Sequence, residues 1–322
     1  DDLKLRASYG TSGNKTSDYL YGYQAFYEGG ANYNGESGFR HSQLANPDLS
    51  WEKSKNFNVG LDFAVLNSRL HGSIDYYIKN SDELLLEKPL AGSTGLDIIM
   101  SNLGGMRNSG IEVDLHSLNI QAGDFNWGTD FNISFNRNKL TKLELQKVYY
   151  DAKTADVVND YVVRNEPGRA LGGFYGYISD GVDPETGELM YRDLNNDGKI
   201  SSSDRTYIGD PNPDFTYGMT NTFSWKGFNL SIFIQGSYGN DIYNASRIET
   251  EGMYDGKNQS ARVLNRWKIP GQITDVPKAN FKLLNSTYFV EDGSYLRLKD
   301  VSLSYNVKGK LLKKWGITRL QP

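Results

Sequence analysis

Cysteine is absent from the 322 residues, which rules out a disulfide framework, a thiolate nucleophile and any thiolate-ligated metal. Histidine is nearly absent: His41, His71 and His116 leave metal and acid–base chemistry mostly to carboxylates. Neither sign of charge dominates. The 35 Lys+Arg against 39 Asp+Glu give a net charge of −4, which argues against a nucleic-acid partner held by bulk charge. No uninterrupted apolar run reaches the roughly 20 residues of a membrane helix, so a helical membrane protein is excluded. The opening Asp1-Asp2-Leu3-Lys4 shows neither the basic region nor the apolar run of a secretory leader. Ser-His-Asp and HExxH spacings do not occur, and the three histidines read as scattered, with His71 and His116 on polar strand positions. Asp82-Glu83 reads as a solvated loop charge. No enzyme is expected.

What the chain has is alternation. Phe57, Val59, Leu61, Phe63 and Val65 alternate with Asn58, Gly60, Asp62 and Ala64. The same period recurs in Gly72 to Ile78, Ile111 to Leu115, Trp127 to Phe135, Phe215 to Trp225, Phe228 to Ile234 and Val301 to Val307. Successive strand side chains point to opposite faces, so each segment has one apolar and one polar face. A soluble sandwich would show the same pattern. Two features favour a transmembrane barrel. Many runs reach the roughly 9–11 residues that cross a bilayer at a tilt. The connections also alternate: Leu66 to Arg69, Ile120 to Phe125 and Lys226-Gly227 are short, whereas Leu85 to Met106, Lys139 to Leu171 and Gly239 to Thr287 are long.

The fold class is therefore all-β, an antiparallel transmembrane β-barrel of which this chain is a part. About ten strand candidates make roughly half of a wide barrel. Both ends read as cuts: Leu3, Leu5, Ala7 and Tyr9 open directly on a strand, and Gly316 to Gln321 begins another. Lys308 to Lys314 reads as a basic turn or short helix on a solvated face.

The sharpest motif runs from Asp193 to Asp204. Asp193, Asn195, Asp197, Lys199 (through its carbonyl), Ser201 and Asp204 stand at loop positions 1, 3, 5, 7, 9 and 12, with Gly198 at 6. That is the calcium-loop spacing, and it predicts a structural Ca2+. Ile200 at position 8 is expected to pin the loop to the body. An Asx-rich solvated turn is the competing reading. Aromatic clusters come second: Tyr19, Tyr21, Tyr23, Phe26, Tyr27 and Tyr33 in one loop, and Phe174, Tyr175 and Tyr177 after another. Such rings either meet a ligand or partner, or serve as interfacial belt and loop packing.

Several stretches resemble the C-terminal barrel region of the SusC/RagA-like TonB-dependent outer-membrane transporters. They are Asn46 to Lys53, Asn102 to Glu112, Gly172 to Gly181, the Asp193 to Asp204 loop with Gly209 to Gly218, Gln235 to Asn244, and Ser294 to Tyr305. The resemblance implies a 22-stranded barrel with an N-terminal plug, embedded in outer-membrane lipid of a Bacteroidetes-type bacterium. It implies a SusD-like surface lipoprotein as lid, TonB acting through an N-terminal region absent from residues 1–322, and oligosaccharide or peptide cargo. The plug, the TonB box and the final strands are expected to lie outside this sequence. The competing function class is a calcium-stabilised surface adhesin or carbohydrate-binding β protein.

Overall fold

The computed structural model describes residues 1–15, 21–144, 148–154 and 158–306. Tyr19, Val307, the Lys308 to Lys314 segment and the strand expected from Gly316 lie outside the described residues.

Eight strands form one continuous antiparallel sheet in chain order: β1 (Asp2–Asn14), β2 (Glu52–Val65), β3 (Leu70–Pro89), β4 (Ile98–Ala122), β5 (Phe125–Leu143), β6 (Phe215–Trp225), β7 (Phe228–Tyr238) and β8 (Tyr295–Tyr305). The register turns the alternation of each strand into rows that cross the whole sheet. One row reads Leu3, Phe63, Gly72, Leu115, Phe131, Met219, Ile234 and Leu298. The next reads Lys4, Asp62, Ser73, Asp114, Asn132, Gly218, Gln235 and Arg297. Adjacent rows point to opposite faces, so the sheet has one apolar face for lipid and one polar face for a lumen.

Rings gather at both ends of the apolar face. Phe135, Phe215 and Tyr238 pack at the end nearer the long loops, with centroids 5.6 and 5.2 Å apart. Trp127 stacks on Phe223, and Phe228 packs at a tilt against Tyr305, at the short-turn end. The 11 residues from Phe215 to Trp225 rise roughly 33 Å at about 3.3 Å per residue, or roughly 25 Å along the normal at a tilt near 40°. That is the height of an outer-membrane apolar band between two aromatic girdles.

The short turns need left-handed backbone. Leu66, Asn67 and Ser68 have φ of 57°, 55° and 62°, and Lys226-Gly227 has 48° and 99°. Such turns match the twist of the strands they join. The expected long loop from Leu85 to Met106 is largely strand: β3 runs to Pro89 and β4 starts at Ile98. Leu86 pairs with Ser101 and Glu87 with Met100, so the ladder continues past the membrane band after a bulge around Glu83. Runs of consecutive apolar residues hid this extension, because they carry no period of two.

Apart from Leu140 in β5, the buried apolar residues lie among the long connections. Leu189, Ile248, Leu283 and Phe289 are at most 4% exposed and are surrounded by Val182, Tyr191, Tyr243, Tyr254, Phe281 and Tyr288. Each such side chain contributes about 1.5–3 kcal/mol by leaving water. A four-stranded sheet of Tyr149–Lys153, Tyr161–Asn165, Phe174–Gly176 and Thr206–Gly209, together with the short helix Ser246–Glu251, builds this assembly.

Candidate functional site

Three places carry polar chemistry: the lumen face of the wall, the 193–204 loop and the aromatic loops. On the wall, Arg6 holds both Asp62 oxygens through Nε at 2.9 and 2.8 Å and reaches Asp75 through Nη2 at 2.9 Å. Gly60 makes room for it, since a Cβ there would stand 2.7 Å from Arg6 Nη2. The guanidinium thus ties three strands on the lumen side. Further along the same face, His71 and His116 are cross-strand partners with rings stacked 5.0 Å apart at 16°, and His116 Nδ1 meets Asp130 Oδ1 at 2.6 Å. The sequence placed both rings on polar strand positions but read them as scattered. Only the β3–β4 register, which joins positions 45 residues apart, brings them together.

In the 193–204 loop the acidic side chains fold back on their own backbone. Asp193 accepts from the amides of Gly198 (2.8 Å) and Asp197 (3.3 Å), Asn195 Oδ1 from Asp197 N (3.0 Å), and Asp197 Oδ1 from Lys199 N (2.9 Å). Asn195 Nδ2 donates to Asp197 Oδ2 at 3.0 Å, so these side chains are gathered around Gly198. Asp204 differs. It is fully buried and accepts from the amides of Ser201 (2.8 Å), Leu194 (2.9 Å) and Asn195 (3.4 Å). Those amides, Ser201 foremost, hold its carboxyl below the usual range despite burial. Ser201 caps the single turn Ser202–Asp204 in a reciprocal capping box. Among the described residues no three His, Asp or Glu side chains converge on one point. Asp193, Asn195 and Asp197 thus form an outer rim, while Asp204 anchors the loop from within. Ile200 does not pin the loop as expected: it is 42% exposed, and the amide bonds to Asp204 do that work.

The two aromatic clusters are unlike each other. Tyr21, Tyr23, Phe26 and Tyr27 are exposed on and beside a hairpin of Phe26–Gly29 and Phe39–Gln43, where Tyr27 packs on His41 at 4.2 Å. Phe174 is buried against Tyr243. Tyr175 has the Arg164 guanidinium 4.4 Å over its ring, and Tyr177 lies between Tyr191 and Arg205, each 5.8 Å away. The face of Tyr175 is therefore spent within the protein, whereas the hairpin rings, Tyr27 on His41 and Tyr21 edge-on to Phe26, stay exposed. Beside Tyr175, burial and then the Glu166 charge push Tyr207 up to about 12, so it stays a hydrogen-bond donor.

A family profile described as TonB dependent receptor-like, beta-barrel matches residues 1–321. TonB-dependent receptor P3 of Formosa agariphila is 36% identical, over 98% of this chain and 33% of its own length. TonB-dependent receptor SusC of Bacteroides thetaiotaomicron is 30% identical, over 95% of this chain and 32% of its own. The solved structure of the RagAB peptide transporter superimposes with a TM-score of 0.84 at 30% identity, over 96% of this chain and 35% of that one. The chain thus spans about a third of the length of the relatives it matches.

Proposed function

The chain belongs to the TonB-dependent receptor-like β-barrel family, and from that membership we propose that it is part of an outer-membrane importer of oligosaccharides or peptides. The family is one of transport proteins, and the chain is not an enzyme. The observation that carries the import reading is the pairing of an apolar row with a polar row across all eight strands, a wall between lipid and an aqueous lumen. The likeness to a peptide transporter supports the peptide half of the cargo class.

In this reading a SusD-like lipoprotein lids the barrel from the long-loop side, and TonB supplies energy through a region outside residues 1–322. The exposed Tyr21, Tyr23, Phe26 and Tyr27 are the rings offered to partner or cargo, whereas Phe174, Tyr175 and Tyr177 pack within the loop assembly. Relatives in Formosa and Bacteroides support a Bacteroidetes-type host. We also propose a structural Ca2+ on the side chains of Asp193, Asn195 and Asp197 and the Lys199 carbonyl, with Ser201 and Asp204 closing the loop. The spacing and the gathering of the first three side chains support it; Asp204 is the member that must turn to reach the ion. Deleting the gene should stop growth on one complex peptide or glycan source. Unchanged growth on every such source would refute import.

A further inference from the structure

His71 and His116 lie side by side on the lumen face, near the short-turn end of β3 and β4. Their rings are 16° from parallel with centroids 5.0 Å apart. Each Nδ1 faces a group that accepts but cannot donate: Ser68 O at 3.3 Å for His71, and Asp130 Oδ1 at 2.6 Å for His116. In the neutral imidazole both protons therefore sit on Nδ1, and both Nε2 atoms keep a lone pair. A carbonyl or carboxylate behind Nδ1 is also the arrangement that orients metal-ligating histidines and raises their basicity. No hydrogen bond within the described residues engages either Nε2. The pair borders a hollow of about 490 Å³ shared with Asp2, Asp62 and Asp114, and no Lys or Arg lines it.

We propose that His71 and His116 form a two-histidine clip for a borderline divalent transition cation such as Cu2+, Ni2+ or Zn2+. With metal–nitrogen bonds of about 2.0–2.1 Å, two nitrogens on one ion lie roughly 3–4 Å apart, a separation that side-chain rotation can bring two directly opposed cross-strand residues to. Water completes the shell, since among the described residues no third His, Asp or Glu side chain converges with the rings. Imidazole nitrogen selects Cu2+, Ni2+ and Zn2+ over hard Ca2+ and Mg2+, so this site is chemically separate from the 193–204 loop. It is equally independent of the import reading.

The test is Cu2+ titration of the folded full-length protein in detergent, followed by electron paramagnetic resonance. Folding of every variant is checked by heat-modifiable migration. One equivalent should bind with coupling to two imidazole nitrogens. His71→Gln and His116→Gln should each weaken binding at least tenfold and leave one coupled nitrogen. Asp130→Asn should keep both nitrogens but lower affinity about tenfold, the usual effect of losing an orienting carboxylate. Wild-type protein that binds no Cu2+, or a signal and affinity unchanged in both histidine variants, overturns the clip.

Discussion

The Tyr77 ring lies across Gly110 and donates its hydroxyl to Asn136 Oδ1 at 2.9 Å, joining β3 to β5 over the intervening strand. A Cβ on Gly110 would stand 2.7 Å from that hydroxyl and 2.2 Å from the Phe135 carbonyl. Tyr77→Phe loses one hydrogen bond and should cost about 0.5–1.5 kcal/mol. Gly110→Val must also displace the ring and should cost more, by about 1–3 kcal/mol of overpacking. Urea unfolding of the refolded barrel measures both; equal midpoints for the two variants would show that Gly110 makes no room for Tyr77.

Glu251 is the pivot of the loop assembly. Its carboxylate, 4% exposed, meets Arg247 at 3.0 Å and Arg262 at 3.2 Å and accepts the Tyr288 hydroxyl at 3.0 Å. Removing it leaves Arg262 with Asp275 and Arg247 with Glu291, but takes the shared acceptor from both guanidinium groups and from the Tyr288 hydroxyl. Glu251→Ala should destabilise the assembly by about 1.5–3 kcal/mol while the wall stays folded. Limited proteolysis should then cut between residues 246 and 289 with barrel strands protected. Wild-type resistance in that segment would argue that the cluster is incidental.

Calcium should raise the thermal midpoint of the loop region, and a chelator should lower it, in the wild type alone. Asp193→Asn combined with Asp197→Asn should remove the response. If chelation leaves the wild type unchanged, the loop is an Asx-rich turn and no calcium site.

Acid tests the anchor of the same loop. The Asp204 carboxyl is held below its ordinary 3.8 by the Ser201, Leu194 and Asn195 amides. A depressed value means that its stabilisation is fully present above about 3.8 and is lost as pH falls through the lower folded value. Opening of the loop, followed by hydrogen exchange at the Leu194 and Ser201 amides, should therefore rise below about pH 3.8. Asp204→Asn should flatten that dependence, and a wild-type profile in the variant would place the titrating group elsewhere.

The wall was legible because one property, a period of two, is repeated over long strands and punctuated by tight turns such as Lys226-Gly227. The family motifs added the barrel type. The loop assembly was not legible. Its strands, such as Phe174–Gly176 and Leu189–Tyr191, are three residues long and too short to show a period. Phe174 and Tyr175 looked alike in sequence, yet one is buried and the other lies under Arg164, a difference set by contacts across the small sheet. His71 and His116 illustrate a further limit: alternation gives the face of a residue but not its neighbour, which depends on register.

The central claim is that consecutive residues of these strands face lipid and lumen in turn. Residues 1–322 hold no cysteine, so once any cysteine elsewhere in the full-length protein is replaced, single cysteines can be spin-labelled at each position from Thr216 to Ser224 in β6 in bilayers. Labels at Tyr217, Met219, Asn221 and Phe223 should be accessible to oxygen dissolved in lipid, and those at Thr216, Gly218, Thr220, Thr222 and Ser224 should not. Equal oxygen accessibility at neighbouring positions would contradict a membrane-spanning wall.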